Sequence, residues 1–575
     1  LINLLLMEGA SGQNSFFKFK ISDDGIYKLS IAQARELGAS SLSEIALFGY
    51  PGMLPQLLQP ENLELQEIPG LEKDEHLYFY LSGPNSYEFT NEGISYRVNQ
   101  FSDSISYLIG FSQNPKRIAT VYGQSSTATP TQLYSWSWLN EQENNMLNSG
   151  RAWYSKSVAP GITRGYSFPL ATTSNANWKI AAKIMARSNS ASIIKLATDD
   201  LSVSESSFDG VPNGTYSIKG QEVRVFESFA PAEKKVERLR ISFEASNPND
   251  AGYFEYIGIG VPHSSEQLGE GIYALEQKTS ISIDPLEDLT VWEVSDFEAP
   301  LAVNLSSGSM ISGQKFIVFN SSTAKDIEQI EPADLSLRSQ SSWPDLLIIT
   351  PKILRNSAEK LSLHKLGMGI YAQVAYLEDI YDAFGYGNSD LTAIRNYLAW
   401  QYYAGGKLQN VLILGKGTFD YKEILGGRPN LVPIYTSRNS LNPLTTFSSD
   451  DYFYLLEFGQ GEWEETREGD ELMQIGVGRL PVISATEARL VVDKIIAYES
   501  NPKPGDWKKT VTFFADDGDN NIHLRDSESH ASFLNEKHQD FKQVKLYLDR
   551  FKQENTGERQ SSAEAKNALE ETLEK

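Results

Sequence analysis

Residues 474–499 read QIGVGRLPVISATEARLVVDKIIAYE. The first eight form a short apolar strand that stops at Pro481. Ser484 and Glu487 then make a capping-box pattern ahead of Leu490, Val491, Ile495 and Ile496, which recur at helical spacing. A strand, a break and a capped helix make one α/β unit. The same grammar extends to both sides. Upstream lie DLLIITP, a helical segment to Leu366, and the strand IYAQVAYL. Asp390 follows, ahead of LTAIRNYLAWQYYA with Leu391, Ile394 and Leu398 on one face, and then NVLILG. Downstream come KKTVTFFAD, a helix near 526–541, and KQVKLYL. Strands that are unbroken apolar runs, alternating with helices, predict one parallel sheet covered on both faces over residues 335–575.

The first half has another texture. Residues 14 to about 330 are rich in Ser, Thr, Asn, Tyr and Phe, with strand-like runs between turn residues. KFKIS and GIYKL flank Asp23-Asp24-Gly25, which predicts a hairpin. HLYFYLSG, SYLIGF, WKIAAKIMA, ASIIKLA, VERLRISFEA and YFEYIGIGV continue the pattern. The expected organisation is a β-rich domain over 14–125 and a β-sandwich over 130–330, joined by the linker SSTATP. The opening LINLLLMEGASGQ, residues 1–13, reads as a signal-peptide remnant, and the terminal helix SSAEAKNALEETLEK reads as cut short.

Composition narrows the function. With 575 residues, a formal charge of −24 and 40% hydrophobic residues, the chain is a folded multidomain protein. The charge argues against nucleic acid as a partner, because phosphate binding needs a basic face. There is no cysteine, which excludes disulfides and any cysteine nucleophile within these residues. No apolar run reaches eighteen residues, so none reads as a membrane span.

Asp516, Asp517 and Asp519 cluster at the expected C-terminal end of a strand, where parallel sheets present functional groups. Three readings fit: a solvated acidic turn, a calcium loop, or a carboxylate that orients a catalytic histidine. The six histidines, His76, His263, His364, His523, His530 and His538, match no zinc spacing. LGKGTF at 414–419 lacks the phosphate-loop arrangement, so its glycines are expected to turn a strand at the sheet edge. FSSDDYFYLLEF at 447–458 reads as an edge element with Asp450 and Asp451 at a polar start. Pattern and spacing alone yield no reaction.

Several segments together carry a resemblance. SSDDYFYLLE, GEWEETREGDEL, the opening stretch and TVTFFADDGDNNIHLRDSE resemble the gingipain-type cysteine peptidases, and more narrowly their type IX secretion sortase branch. FKISDDGIYKLS, IALFGYPGMLPQ, YFYLSGPNSYEF and NQFSDSISYLIGF are similar to that branch's N-terminal domains. The resemblance implies N-terminal β-sandwich-like domains followed by a caspase-like α/β peptidase domain with a cysteine–histidine dyad. It implies a secreted enzyme at the surface of a Bacteroidetes-type bacterium that removes C-terminal sorting domains from cargo. The cargo is then joined to anionic lipopolysaccharide, beside an outer-membrane β-barrel of the PorV type. It also implies structural calcium, no cofactor for the chemistry, and supporting acids at Asp517 first and Asp526 second. The family's histidine lies in a Gly-His-Gly segment. None of the six histidines here is flanked by glycine, so the dyad is expected beyond Lys575. A secreted endopeptidase without a sortase role and a non-catalytic surface scaffold are the alternatives.

Overall fold

Asp23-Asp24-Gly25 does not close a hairpin. The strand Phe16–Ile21 pairs with Ile105–Phe111 and Glu331–Ala333 in one sheet. Gly25–Ser30 pairs with His76–Leu81 and Lys325–Asp326 in another. The two strands bury Phe19 and Ile21 against Tyr27 and Leu29 in a shared core, so the chain crosses between facing sheets instead of folding back within one. Asp24 holds this corner: its carboxylate accepts the Gly83 N–H at 2.7 Å and lies 3.3 Å from the Lys315 ammonium. This computed structural model describes residues 15–574 except 92, 126–131, 200, 284, 285, 287, 306–308, 428, 462–471, 517, 557 and 558. The expected signal-peptide remnant, most of the linker, most of the acidic stretch after Gly461, and Asp517 lie outside them. The chain forms two units, residues 1–492 and 493–575.

In the first unit, a mostly antiparallel ten-stranded sheet and an antiparallel four-stranded sheet enclose a core that includes Trp178, Phe243, Phe254, Ile257 and Ile259. The hairpin of Ser86–Thr90 and Gly93–Arg97 lies over the ten-stranded sheet, with Tyr96 stacked on Trp138 at 4.4 Å. The glycines of YFEYIGIGV explain how the tryptophans sit. A Cβ at Gly258 would lie 2.3 Å from the Trp138 ring, and one at Gly260 would lie 2.8 Å from Trp136. Only bare backbone lets both rings lie flat on the neighbouring strand.

The same unit carries a four-stranded parallel sheet in the order Ala372–Tyr376, Leu346–Thr350, Asn410–Leu414, Gly476–Leu480. Helices Arg355–Gly367, Leu377–Gly385, Leu391–Gly405 and Ala485–Ser500 accompany it. The second of these was not evident in the sequence. Asp390, which precedes this stretch in the sequence, caps Leu391–Gly405, accepting the Thr392 N–H at 2.8 Å. Ser484 accepts the Glu487 N–H at 3.2 Å, while the Glu487 carboxylate accepts from Ile483 at 2.9 Å, one residue before the usual box partner.

In the second unit, Thr510–Ala515 and Lys542–Tyr547 pair only with each other among the described residues, across the helix Gly518–Lys537. Three left-handed residues, Asp519, Asn520 and Asn521, of the types that tolerate this conformation best after glycine, interrupt this segment near its start, so the regular helix follows Asn521 and ends at Lys537, against the expected 526–541. Among the described residues no helix is long and apolar enough to cross a membrane.

Candidate functional site

The C-terminal ends of the first unit's parallel strands converge on one constellation. Thr350 donates its buried hydroxyl to the Leu414 carbonyl at 2.9 Å, tying two neighbouring strand ends together. After Leu414 the chain turns at Gly415, φ +146°, where a Cβ would come within 2.9 Å of the Val432 side chain. A Cβ at Gly417 would lie 2.7 Å from the Val432 carbonyl. Close approach of the following loop therefore requires both glycines. The turn leaves an internal strand, not the sheet edge expected from the sequence.

Arg479, at the end of the strand Gly476–Leu480, organises this surface. Its guanidinium grips Asp450 through Nε at 2.8 Å and Nη2 at 2.7 Å. It also donates to the carbonyls of Gly415, Val432 and Pro433 at 2.7, 2.8 and 3.1 Å. All five guanidinium hydrogens are thus directed at acceptors, the geometry that suits arginine and not lysine. Asp450 begins a short helical turn, Asp451–Tyr454, whose Tyr452 and Phe453 are buried. This replaces the edge element read from FSSDDYFYLLEF. The sequence did carry a hint. A lone arginine inside an apolar strand demands a carboxylate, but nothing local identifies a partner 29 residues upstream.

In the second unit, Asp516 follows the strand Thr510–Ala515 and is exposed. Asp517, the first-ranked supporting acid, lies outside the described residues. Asp526, the second, is exposed on the helix Gly518–Lys537. His523 approaches the Asp519 carboxylate at 3.4 Å, with both side chains largely in solvent. His263 hydrogen-bonds Ser135 at 2.8 Å within the ten-stranded sheet, and burial pushes its imidazole below the ordinary pKa. That holds it neutral as a structural partner across the ladder. Among the described residues no three His, Asp or Glu side chains lie together as a metal-holding group.

Residues 339–575 match the family model described as peptidase family C25. Among solved structures the chain is similar to dimeric latent PorU from Porphyromonas gingivalis, at 22% identity and a TM-score of 0.74. That match covers 86% of this chain and 50% of PorU, so the chain spans half the length of that protein and shares its fold. A complex of the pro- and mature domains of RgpB from Porphyromonas gingivalis matches at 19% identity, covering 35% of this chain and 41% of that one, with a TM-score of 0.25. No curated protein matches the chain.

Proposed function

We propose that this chain is the N-terminal and partial catalytic region of a secreted gingipain-like cysteine peptidase that serves as a type IX secretion sortase. In this reading it removes C-terminal sorting domains from secreted cargo and attaches the cargo to anionic surface lipopolysaccharide. The work is done at the outer membrane, beside a PorV-type β-barrel. The observation that carries the reading is the combination of a C25 domain with N-terminal β-sheets in the PorU fold over 86% of the chain. A gingipain-like endopeptidase without a sortase role would account for the C25 domain but not for the shared N-terminal architecture.

In the chemistry of the class, a thiolate attacks a peptide carbonyl and gives an acyl-enzyme, which an amine or water then resolves. These 575 residues supply no thiol, so the part proposed for them is to position and support the dyad. Arg479 fixes the loops at the ends of the four-stranded sheet. Asp517, or failing it Asp526, would orient the imidazole of the dyad.

Deleting the gene in its bacterium tests the reading. Secreted cargo should then keep its C-terminal sorting domain and leave the cell surface. Cargo that is still cleaved and still anchored would overturn the proposal. Loss of cleavage of other proteins, with cargo processed normally, would favour the endopeptidase.

A further inference from the structure

A cavity of about 700 Å³ lies in the first unit where the loop 50–56, the hairpin 86–97, the ten-stranded sheet and the start of Leu391–Gly405 come together. The proposed reaction makes no use of it. Its volume falls within the roughly 300–1,000 Å³ typical of small-molecule sites. Aromatic rings line it, among them Tyr50, Tyr87, Tyr96, Phe101 and Tyr256. Several of these are held in place by other rings. Tyr96 stacks on Trp138 at 4.4 Å, Tyr87 lies 5.6 Å from Trp138, and Tyr256 meets Tyr96 edge-on at 5.7 Å.

The charged part of the wall is compensated internally. Glu88 lies 2.6 Å from Arg97. Lys183 sits between Glu222 at 3.0 Å and Glu255 at 2.6 Å, and Arg224 also acts on Glu255. Asp390 accepts the Leu54 and Thr392 N–H groups, each at 2.8 Å, and feels the charge of Arg151. The Lys183 pairs are largely withdrawn from water, where such pairs gain little over a packed apolar wall, and the solvent-facing Glu88–Arg97 pair adds little to the fold either, so fold stability does not explain them.

The chemistry of the lining selects an occupant. An apolar ligand would strip water from these pairs without replacing its hydrogen bonds. An anion would meet Glu88, Glu255 and Asp390, and a cation would meet Arg97, Arg151 and Lys183. A neutral polyhydroxylated ring satisfies both kinds of group, because each hydroxyl donates to a carboxylate and accepts from a guanidinium. Its C–H faces cover tyrosine rings that the surrounding aromatics have already fixed. We propose that this cavity binds a neutral saccharide. The ligand is distinct from the anionic acceptor of the proposed reaction, and the site does not depend on that reading.

Calorimetric titration of the 575-residue chain with cellotriose, maltotriose, mannotriose and chitotriose tests this. At least one should bind with a Kd between roughly 1 μM and 1 mM. Tyr50→Ala and Arg97→Ala should each weaken that binding about tenfold or more, a change of ~1.4 kcal/mol, with the melting temperature unchanged. Tyr122→Ala, an exposed ring that does not line the cavity, should leave it intact. The proposal is overturned if none of the four binds more tightly than about 10 mM. It is equally overturned if only acidic oligosaccharides bind, or if both cavity variants bind as the parent does.

Discussion

Arg479 and Asp450 form a two-point ion pair, Nε to Oδ2 at 2.8 Å and Nη2 to Oδ1 at 2.7 Å. Because the same guanidinium also holds three loop carbonyls, one side chain fixes the exits of two neighbouring strands. The arginine side chain is 9% exposed and the aspartate 21%, so the pair is largely withdrawn from water.

Arg479→Met strands a carboxylate and three carbonyls, and should cost about 3 kcal/mol of domain stability. Arg479→Lys restores charge but not the planar fork, and should recover only part of that loss. Urea unfolding of the three proteins checks the order. Equal midpoints for Arg479→Met and the parent would show that the clamp is not a stabilising contact.

Gly417→Ala places a methyl against the Val432 carbonyl, at a distance of 2.7 Å. The loop must shift, at roughly 1–3 kcal/mol. Gly426→Ala is a different control: its Cβ meets nothing within 4 Å, but its φ of +60° is itself strained for alanine. Gly427→Ala, with open space and ordinary φ, should be near neutral. Thermal melts that rank Gly427→Ala below Gly417→Ala would contradict the steric account.

Alkaline unfolding should begin near pH 10. Burial pushes the hydroxyls of Tyr87 and Tyr96 from 10.0 up to about 12. Folded, they stay protonated. Unfolded, they lose the proton above 10, so the unfolded state binds fewer protons and stability falls as pH rises from 10 to about 12. The gap between the two values corresponds to roughly 2.7 kcal/mol per ring at most. Phenolate absorbance should therefore rise together with loss of structure, and Tyr87→Phe should move the alkaline midpoint upward. Absorbance that rises with the fold still intact would refute this.

The 575-residue chain by itself should cleave no peptide and take no label from thiol-directed inhibitors, since it contains no cysteine. Inhibitor-sensitive cleavage by this chain is the contrary result.

In the intact enzyme, His523→Ala should change stability by no more than ~0.5 kcal/mol and leave turnover essentially unaltered. The imidazole side chain is 54% exposed and its partner Asp519 82%, and a solvent-exposed pair of this kind adds little to the fold. A large fall in turnover with an unchanged melting temperature would bring this pair into the chemistry.

Much of the α/β region was legible from its residues. The strands Leu346–Thr350, Asn410–Leu414 and Thr510–Ala515 and the caps at Asp390 and Ser484 depend on periodicity and on hydrogen bonds within a few residues, which sequence displays directly. The helix Leu377–Gly385 escaped notice because IYAQVAYL runs without a break from strand into helix, with no side-chain cap at Tyr376. The candidate site was less legible still. The ADDGD cluster points to a strand end, but Asp526 is merely exposed on a helix and Asp517 lies outside the described residues.

By itself, the sequence determined that this is a β-rich protein followed by alternating strands and helices, acidic and without any thiol. Those properties are sums or short-range patterns, so no partner is needed to read them. Only tertiary structure decided that Phe16–Ile21 and Gly25–Ser30 face each other from different sheets. It also decided that Lys18 meets Asp382 at 2.6 Å across 364 residues, and that Arg479 selects Asp450. A turn signal states that the chain bends, not which edge its next strand will join. A buried charge states that it needs a partner, and packing of the whole core chooses which one arrives.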